Sequence, residues 1–106
     1  MPQKLFRLEV YVPETHLEQV KQALFSAGAG KLGNYDCCAF QSRGRGQFRP
    51  LPGARPFLGS SGTLEQVEEW KLELVLQEDC LAGAIAALKA AHPYETPAYQ
   101  YWPVQS

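Results

Sequence analysis

Residues 6–35 and 70–99 overlay without a gap at an offset of 64, and eight of the thirty aligned pairs are identical. Phe6-Arg7-Leu8-Glu9-Val10-Tyr11-Val12 falls on Trp70-Lys71-Leu72-Glu73-Leu74-Val75-Leu76, and Thr15 falls on Asp79. Leu17 then meets Leu81, Leu24 meets Leu88, Ala27 meets Ala91 and Tyr35 meets Tyr99. Such a repeat confines the chain to one unit used twice, each copy a strand, a helix and the start of a further strand. After the helix the copies part, with Gly28-Ala29-Gly30-Lys31 in the first and His92-Pro93-Tyr94-Glu95 in the second. The shared part argues architecture and the divergent part argues site.

Alternation identifies the strands. Phe6, Leu8, Val10 and Val12 take one face against Arg7, Glu9 and Tyr11, and Trp70, Leu72, Leu74 and Leu76 oppose Lys71, Glu73 and Gln77. A sheet with one apolar face needs a cover. Leu17, Val20, Leu24 and Ala27, and Leu81, Ala84, Ile85, Leu88 and Ala91, recur at helical spacing and supply it. Thr15 with Glu18 fits a capping box, Asp79 fits a cap for the second helix, Gly28 stops the first and Pro93 the second. Cys37–Ser42 and Gln47–Arg49 read as short strands around a hairpin turn at Arg43-Gly44-Arg45-Gly46, and Ala98–Val104 as a terminal strand. Two strand–helix–strand halves with right-handed crossovers give a ferredoxin-like α+β sandwich, βαββαβ, with both helices on one face of a mostly antiparallel sheet.

At 106 residues the chain reads as a single domain over 1–106, with residues 42–68 as a long Gly/Pro/Arg-rich loop anchored by Phe48, Phe57 and Leu58. A loop of that length is functional or disordered. The formal net charge of −1 argues against a general nucleic-acid binder, although five bases and one acid gather between Lys31 and Arg55. No apolar run approaches a membrane span and no leader is read at the start, so a cytoplasmic location is expected. Three cysteines without C-x-x-C spacing suit a reducing compartment.

Two sets of residues stand out as candidate sites. His92 and Glu95 are good divalent-metal ligands, for zinc or copper, with Cys37, Cys38, water or another subunit completing the set. The plain alternative places His92 at a helix C-terminus as a structural group. Arg43, Arg45 and Arg49, with Tyr35 and Tyr94, suit an anion or small-ligand pocket, because guanidinium groups beside glycine amides match phosphate oxygens. Their alternative is a solvated turn. Cys38 reads as core, Cys37 as outward-facing and Cys80 as structural. Glu9 and Glu73 occupy equivalent places, but no nucleophile–base pair is visible, which argues against an enzyme.

Gly33-Asn34-Tyr35, Gly46-Gln47-Phe48-Arg49-Pro50, Pro56-Phe57-Leu58-Gly59 and Ala90-Ala91-His92-Pro93-Tyr94-Glu95-Thr96-Pro97-Ala98-Tyr99 occur in that order. Over nearly the whole chain they resemble the domain inserted in the YqfO branch of the Nif-three (NGG-one-interacting-factor-three-like) family. That insert is similar to CutA and PII proteins, which implies a ferredoxin-like fold and a trimer. CutA proteins carry a similar His-Pro-Tyr-Glu segment and are associated with divalent-cation tolerance. Full-length members hold two metal ions through several His and acidic residues in a larger domain. Only His16 and His92 occur here, so that domain's hydrolase activity is not carried over. The position of Cys37 is more often His in the family pattern.

The expectation is a non-enzymatic, self-associating module that binds or senses a small ligand, either a divalent metal or an anion. A homotrimer is expected, with a dimer as second choice. The alternative function is a pure protein–protein assembly module, and a nucleic-acid-binding domain ranks below both.

Overall fold

A computed structural model describes residues 4–106. Its order is β1 (Leu5–Pro13), α1 (Leu17–Ser26), β2 (Phe40–Phe48), β3 (Glu65–Gln77), α2 (Leu81–Ala91) and β4 (Tyr99–Val104). The four strands form one sheet in the order β2-β3-β1-β4, antiparallel throughout. This is the expected ferredoxin-like α+β arrangement. The two repeat strands are the central pair, and Glu9 of β1 lies opposite Glu73 of β3 in their register.

Alternation fixes which face is covered. Leu8, Val10, Val12, Leu72, Leu74 and Leu76 are buried together with Leu17, Val20 and Leu24 of α1 and Ala84 and Leu88 of α2. At roughly 1.5–3 kcal/mol per fully buried aliphatic side chain, this layer is the main stabilising term of the domain. The opposite face carries Arg7, Glu9, Tyr11, Lys71, Glu73 and Val75, partly exposed, with no helix over it among the described residues.

Both helices are entered differently from the expectation. Thr15 and Asp79 lie inside single 3-10 turns, Glu14–His16 and Glu78–Cys80, and no side chain caps either helix. The turns make caps unnecessary at their junctions: the N–H groups of Leu17 and Leu81 bond back to the carbonyls of Glu14 and Glu78. Gly28, at φ +99°, follows α1 as expected, and α2 ends at Ala91, two residues before Pro93.

The middle of the chain corrects the expectation more deeply. Cys37–Ser42 and Gln47–Arg49 are not two strands around a hairpin, and residues 42–68 are not one loop. β2 runs unbroken from Phe40 to Phe48 and pairs along its length with β3. Only residues 49–64 connect the two strands. Neither Gly44 nor Gly46 has positive φ, so neither makes a turn. Gly46 serves space instead: a Cβ there would collide with the Glu69 carboxylate. The repeat also changes offset after the helices. Phe40 lies opposite Glu73 and Gln100 opposite Glu9, an offset of 60 rather than 64, so Tyr35 is not the counterpart of Tyr99. The extra residues form a turn in which Gly30 N–H bonds to Val75 O and Leu32 bridges Tyr35. Cys37 and Cys38 sit in that segment and not in a strand, Cys38 is half-buried rather than core, and Phe40 beyond it is 63% exposed.

Past Pro13, which faces Glu69, β1 ends, and Arg45–Phe48 with Glu65–Glu68 continue as a two-stranded ribbon. The molecule is accordingly elongated, 49 × 24 × 22 Å. No helix among the described residues is long and apolar enough to cross a membrane.

Candidate functional site

His92 organises the region where the two copies diverge. The imidazole is 6% exposed, and both ring nitrogens are engaged. Nδ1 accepts the Tyr94 N–H at 3.1 Å, which leaves the proton on Nε2 to donate to Tyr11 O at 2.7 Å. Burial is the largest influence on the ring and lowers its pKa from the ordinary 6.5, against the Tyr11 carbonyl bond that favours the cation. A neutral ring with both nitrogens committed ties β1 to the turn after α2.

The turn so fixed projects Tyr94 across the end of β1. Its ring packs against His92, Phe48 and Phe57 with centroid separations of 4.8, 6.2 and 6.3 Å. Its hydroxyl donates to Glu69 at 3.1 Å. Burial and the Glu69 carboxylate push the phenol pKa well above its usual value, so it remains a donor. Phe57 packs edge-on to His16 at 5.5 Å, and Glu95 accepts the Arg55 N–H at 3.0 Å. These contacts hold the 49–64 connection against its own chain. Between them lies a cavity of about 390 Å3, lined among others by Phe48, Arg49, Phe57, Glu69, Tyr94 and Glu95.

The predicted anion residues are split by this geometry. Arg49 and Tyr94 line the same cavity. Arg43 and Arg45 line a separate hollow with Tyr11 and Lys71. Arg43 is largely committed, 3.1 Å from Glu68, 3.8 Å from Glu14 and stacked 5.5 Å over Trp70. Tyr35 is 74% exposed and lines neither hollow.

The predicted metal set is not assembled. No group of three His, Cys, Asp or Glu side chains gathers among the described residues. His92 spends both nitrogens on the backbone, Glu95 holds the Arg55 N–H, and Cys37 is exposed at φ +55°. Cys80 is half-buried beside Gly28, with burial raising its thiol pKa, as suits a structural cysteine. Glu9 and Glu73 are not a bare carboxylate pair, because each is ion-paired at 3.2 Å, Glu9 with Lys71 and Glu73 with Arg7.

Sequence reasoning missed Phe48, Phe57 and Glu69 as site residues. The two phenylalanines stand inside the Gln47-Phe48-Arg49-Pro50 and Pro56-Phe57-Leu58-Gly59 motifs, which was the available signal. Glu69 carries none, since only the β2–β3 register brings it beneath Tyr94.

The sheet order β2-β3-β1-β4 and the paired helices on one face define a ferredoxin-like α+β domain. Solved structures agree: the periplasmic divalent cation tolerance protein CutA of Archaeoglobus fulgidus superposes at TM-score 0.69 with 16% identity, covering 96% of this chain and 85% of that one. Bacillus subtilis GlnK superposes at TM-score 0.64 with 14% identity, covering 95% of this chain and 85% of that one. A Bacillus cereus protein related to NIF3 matches at TM-score 0.86 and 39% identity, covering 100% of this chain but 27% of that one.

In sequence, the chain is 47% identical over 102 residues to the GTP cyclohydrolase 1 type 2 homolog of Halalkalibacterium halodurans, covering 96% of this chain and 27% of that protein. The Bacillus subtilis protein of the same name is 48% identical over 101 residues, covering 95% and 27%. No protein-family model matches. The chain therefore resembles the CutA/PII-like domain of NIF3-type proteins, and it spans about a quarter of the length of the curated relatives it matches.

Proposed function

We propose that this chain is a non-catalytic, self-associating module that binds a small ligand in the cavity between the 49–64 connection and the turn after α2. The observation that carries the reading is the double backbone anchorage of His92. It fixes Tyr94, and through Tyr94 the aromatic wall of a cavity whose other side is a loop held by Arg55 and Phe57. A preformed hollow of about 390 Å3, apolar with a few charged groups, is the usual form of a small-molecule site. The cyclohydrolase in the relatives' name refers to proteins of which this chain is 27%, and that activity is not assigned to it.

Self-association is supported by the sheet face that neither helix covers. Phe40 and Trp102 are 63% and 39% exposed, and Trp102 lies opposite Arg7 on that face. A mixture of aromatic groups with ion pairs is the composition of a subunit contact. The proposed assembly is a trimer, with a dimer as second choice. A pure assembly module is the rival reading, favoured by the same uncovered face.

A thermal-shift screen of small organic ligands, run on the wild type and on Phe57→Ala, separates the two. Ligands that stabilise only the wild type support the cavity. A well-behaved oligomer that no ligand stabilises supports assembly alone. Light scattering at micromolar concentration reports the oligomer, and a monomer would defeat both readings.

A further inference from the structure

The charged groups around the cavity differ in how far the protein has already satisfied them. Glu69 holds the Tyr94 hydroxyl at 3.1 Å, and Glu95 holds the Arg55 N–H at 3.0 Å. Arg49 lines the cavity with no hydrogen bond or ion pair to any described residue. Its guanidinium presents a planar fork of donors that matches a carboxylate or phosphate bidentately. Beside it, Phe48 and Phe57 flank Tyr94 at 6.2 and 6.3 Å, with interplanar angles of 52° and 43°, and all three rings line the cavity. Aromatic walls of this kind favour a planar ring over an aliphatic chain.

Building on the binding role proposed above, we infer that the cavity takes a small planar aromatic molecule bearing an oxyanion, its ring against Phe48, Phe57 and Tyr94 and its oxyanion on Arg49. The volume, about 390 Å3, suits one or two fused rings with a short acidic substituent. Inorganic phosphate alone leaves the aromatic wall unused. An uncharged ring leaves Arg49 without a partner. An organic cation finds both nearby carboxylates already accepting hydrogen bonds and a guanidinium beside it. Arg43 and Arg45 do not contribute, since they line the other hollow and Arg43 is neutralised by Glu14 and Glu68.

The test is a set of amide-resolved NMR titrations of the wild type, Arg49→Gln and Arg45→Gln with 2-naphthoate, 2-naphthyl phosphate, 2-naphthamide and inorganic phosphate. Saturable shifts at Phe48, Phe57 and Tyr94 are expected with either naphthyl anion, with affinity about ten-fold above that for the amide, the scale of a charge-assisted bidentate pair. The stronger of the two anions identifies the carboxylate or phosphate source. Arg49→Gln should erase the preference for the anions and Arg45→Gln should keep it. Equal binding of anion and amide by the wild type overturns the inference while leaving the cavity a binding site. No saturable shift with any of the naphthyl probes overturns the inference and the cavity reading together. Loss of the preference in Arg45→Gln as well as in Arg49→Gln places the anion on the ribbon and overturns the assignment.

Discussion

Glu9 and Glu73 stand directly opposite one another in the central strand pair, and each is neutralised by a base from the other's strand. Lys71 Nζ lies 3.2 Å from Glu9, and Arg7 Nη2 lies 3.2 Å from Glu73. The two acids are repeat equivalents, as are the two bases, so the crossed pairs mark the internal two-fold relation on the uncovered face. Like charges opposite each other in a ladder destabilise it. The crossed pairing removes that cost.

Arg7→Ala should therefore lose the ion pair and also leave Glu73 facing Glu9. The Arg7 and Glu73 side chains are 35% and 18% exposed, so solvent screening limits the loss to about 0.5–1 kcal/mol in urea titration at low salt. Adding Glu73→Gln should return most of it. Additive losses in the double variant would show that the two acids do not interact.

His92 should make the domain acid-sensitive well above the carboxylate range. Unfolded, the ring takes up its proton near 6.5; folded, its pKa is lower because the buried site disfavours the cation. The unfolded state thus binds more protons between those values. Stability is complete above about pH 6.5 and declines from there as pH falls toward the depressed folded value. Unfolding free energies measured at pH 7.5 and 5.5 should differ in the wild type and converge in His92→Gln. His92→Ala should cost about 2–4 kcal/mol through its two lost hydrogen bonds and the space left behind. Zinc or copper stoichiometry by native mass spectrometry should be the same in that variant as in the wild type. Loss of one bound metal ion would restore His92 as a ligand.

Gly46 and Gly44 should respond oppositely to the same methyl group. At Gly46 a Cβ meets the Glu69 carboxylate, whereas at Gly44 nothing lies within 4 Å. Gly46→Ala is expected to displace Glu69 from Tyr94 at a cost of about 1 kcal/mol. Gly44→Ala should be neutral or slightly stabilising, as removal of glycine from a strand usually is. Thermal denaturation of the two variants decides it, and equal melting temperatures would mean that the Glu69 position carries no weight.

Trp102→Glu places a charge on the uncovered sheet face beside Arg7 without touching the helix-side core. Light scattering should report a monomer with near-native circular dichroism. An unchanged oligomer would move the subunit contact elsewhere. Tyr99 and Tyr101 are poorer probes, because their register opposite Val10 and Leu8 puts them on the helix side.

The central strands and helices were legible in the sequence because their signals are local: period-two alternation from Phe6 to Val12 and from Trp70 to Leu76, helical spacing from Leu17 and from Leu81, and a repeat that locked the two readings together. The copies' divergence after Ala27 and Ala91 also singled out the His92 turn. What that turn does was decided only by tertiary structure, since the groups that occupy both nitrogens of His92 include Tyr11 O, eighty-one residues away. Glycines in Arg43-Gly44-Arg45-Gly46 read as a turn because glycine permits one, yet long-range pairing with β3 held them extended and used Gly46 as room for Glu69. Likewise the shift from offset 64 to 60 is a matter of register, set by cross-strand hydrogen bonds that leave no mark on the sequence between Gly28 and Phe40. Local periodicity determined the layers; pairing at a distance determined which side chains met around the cavity.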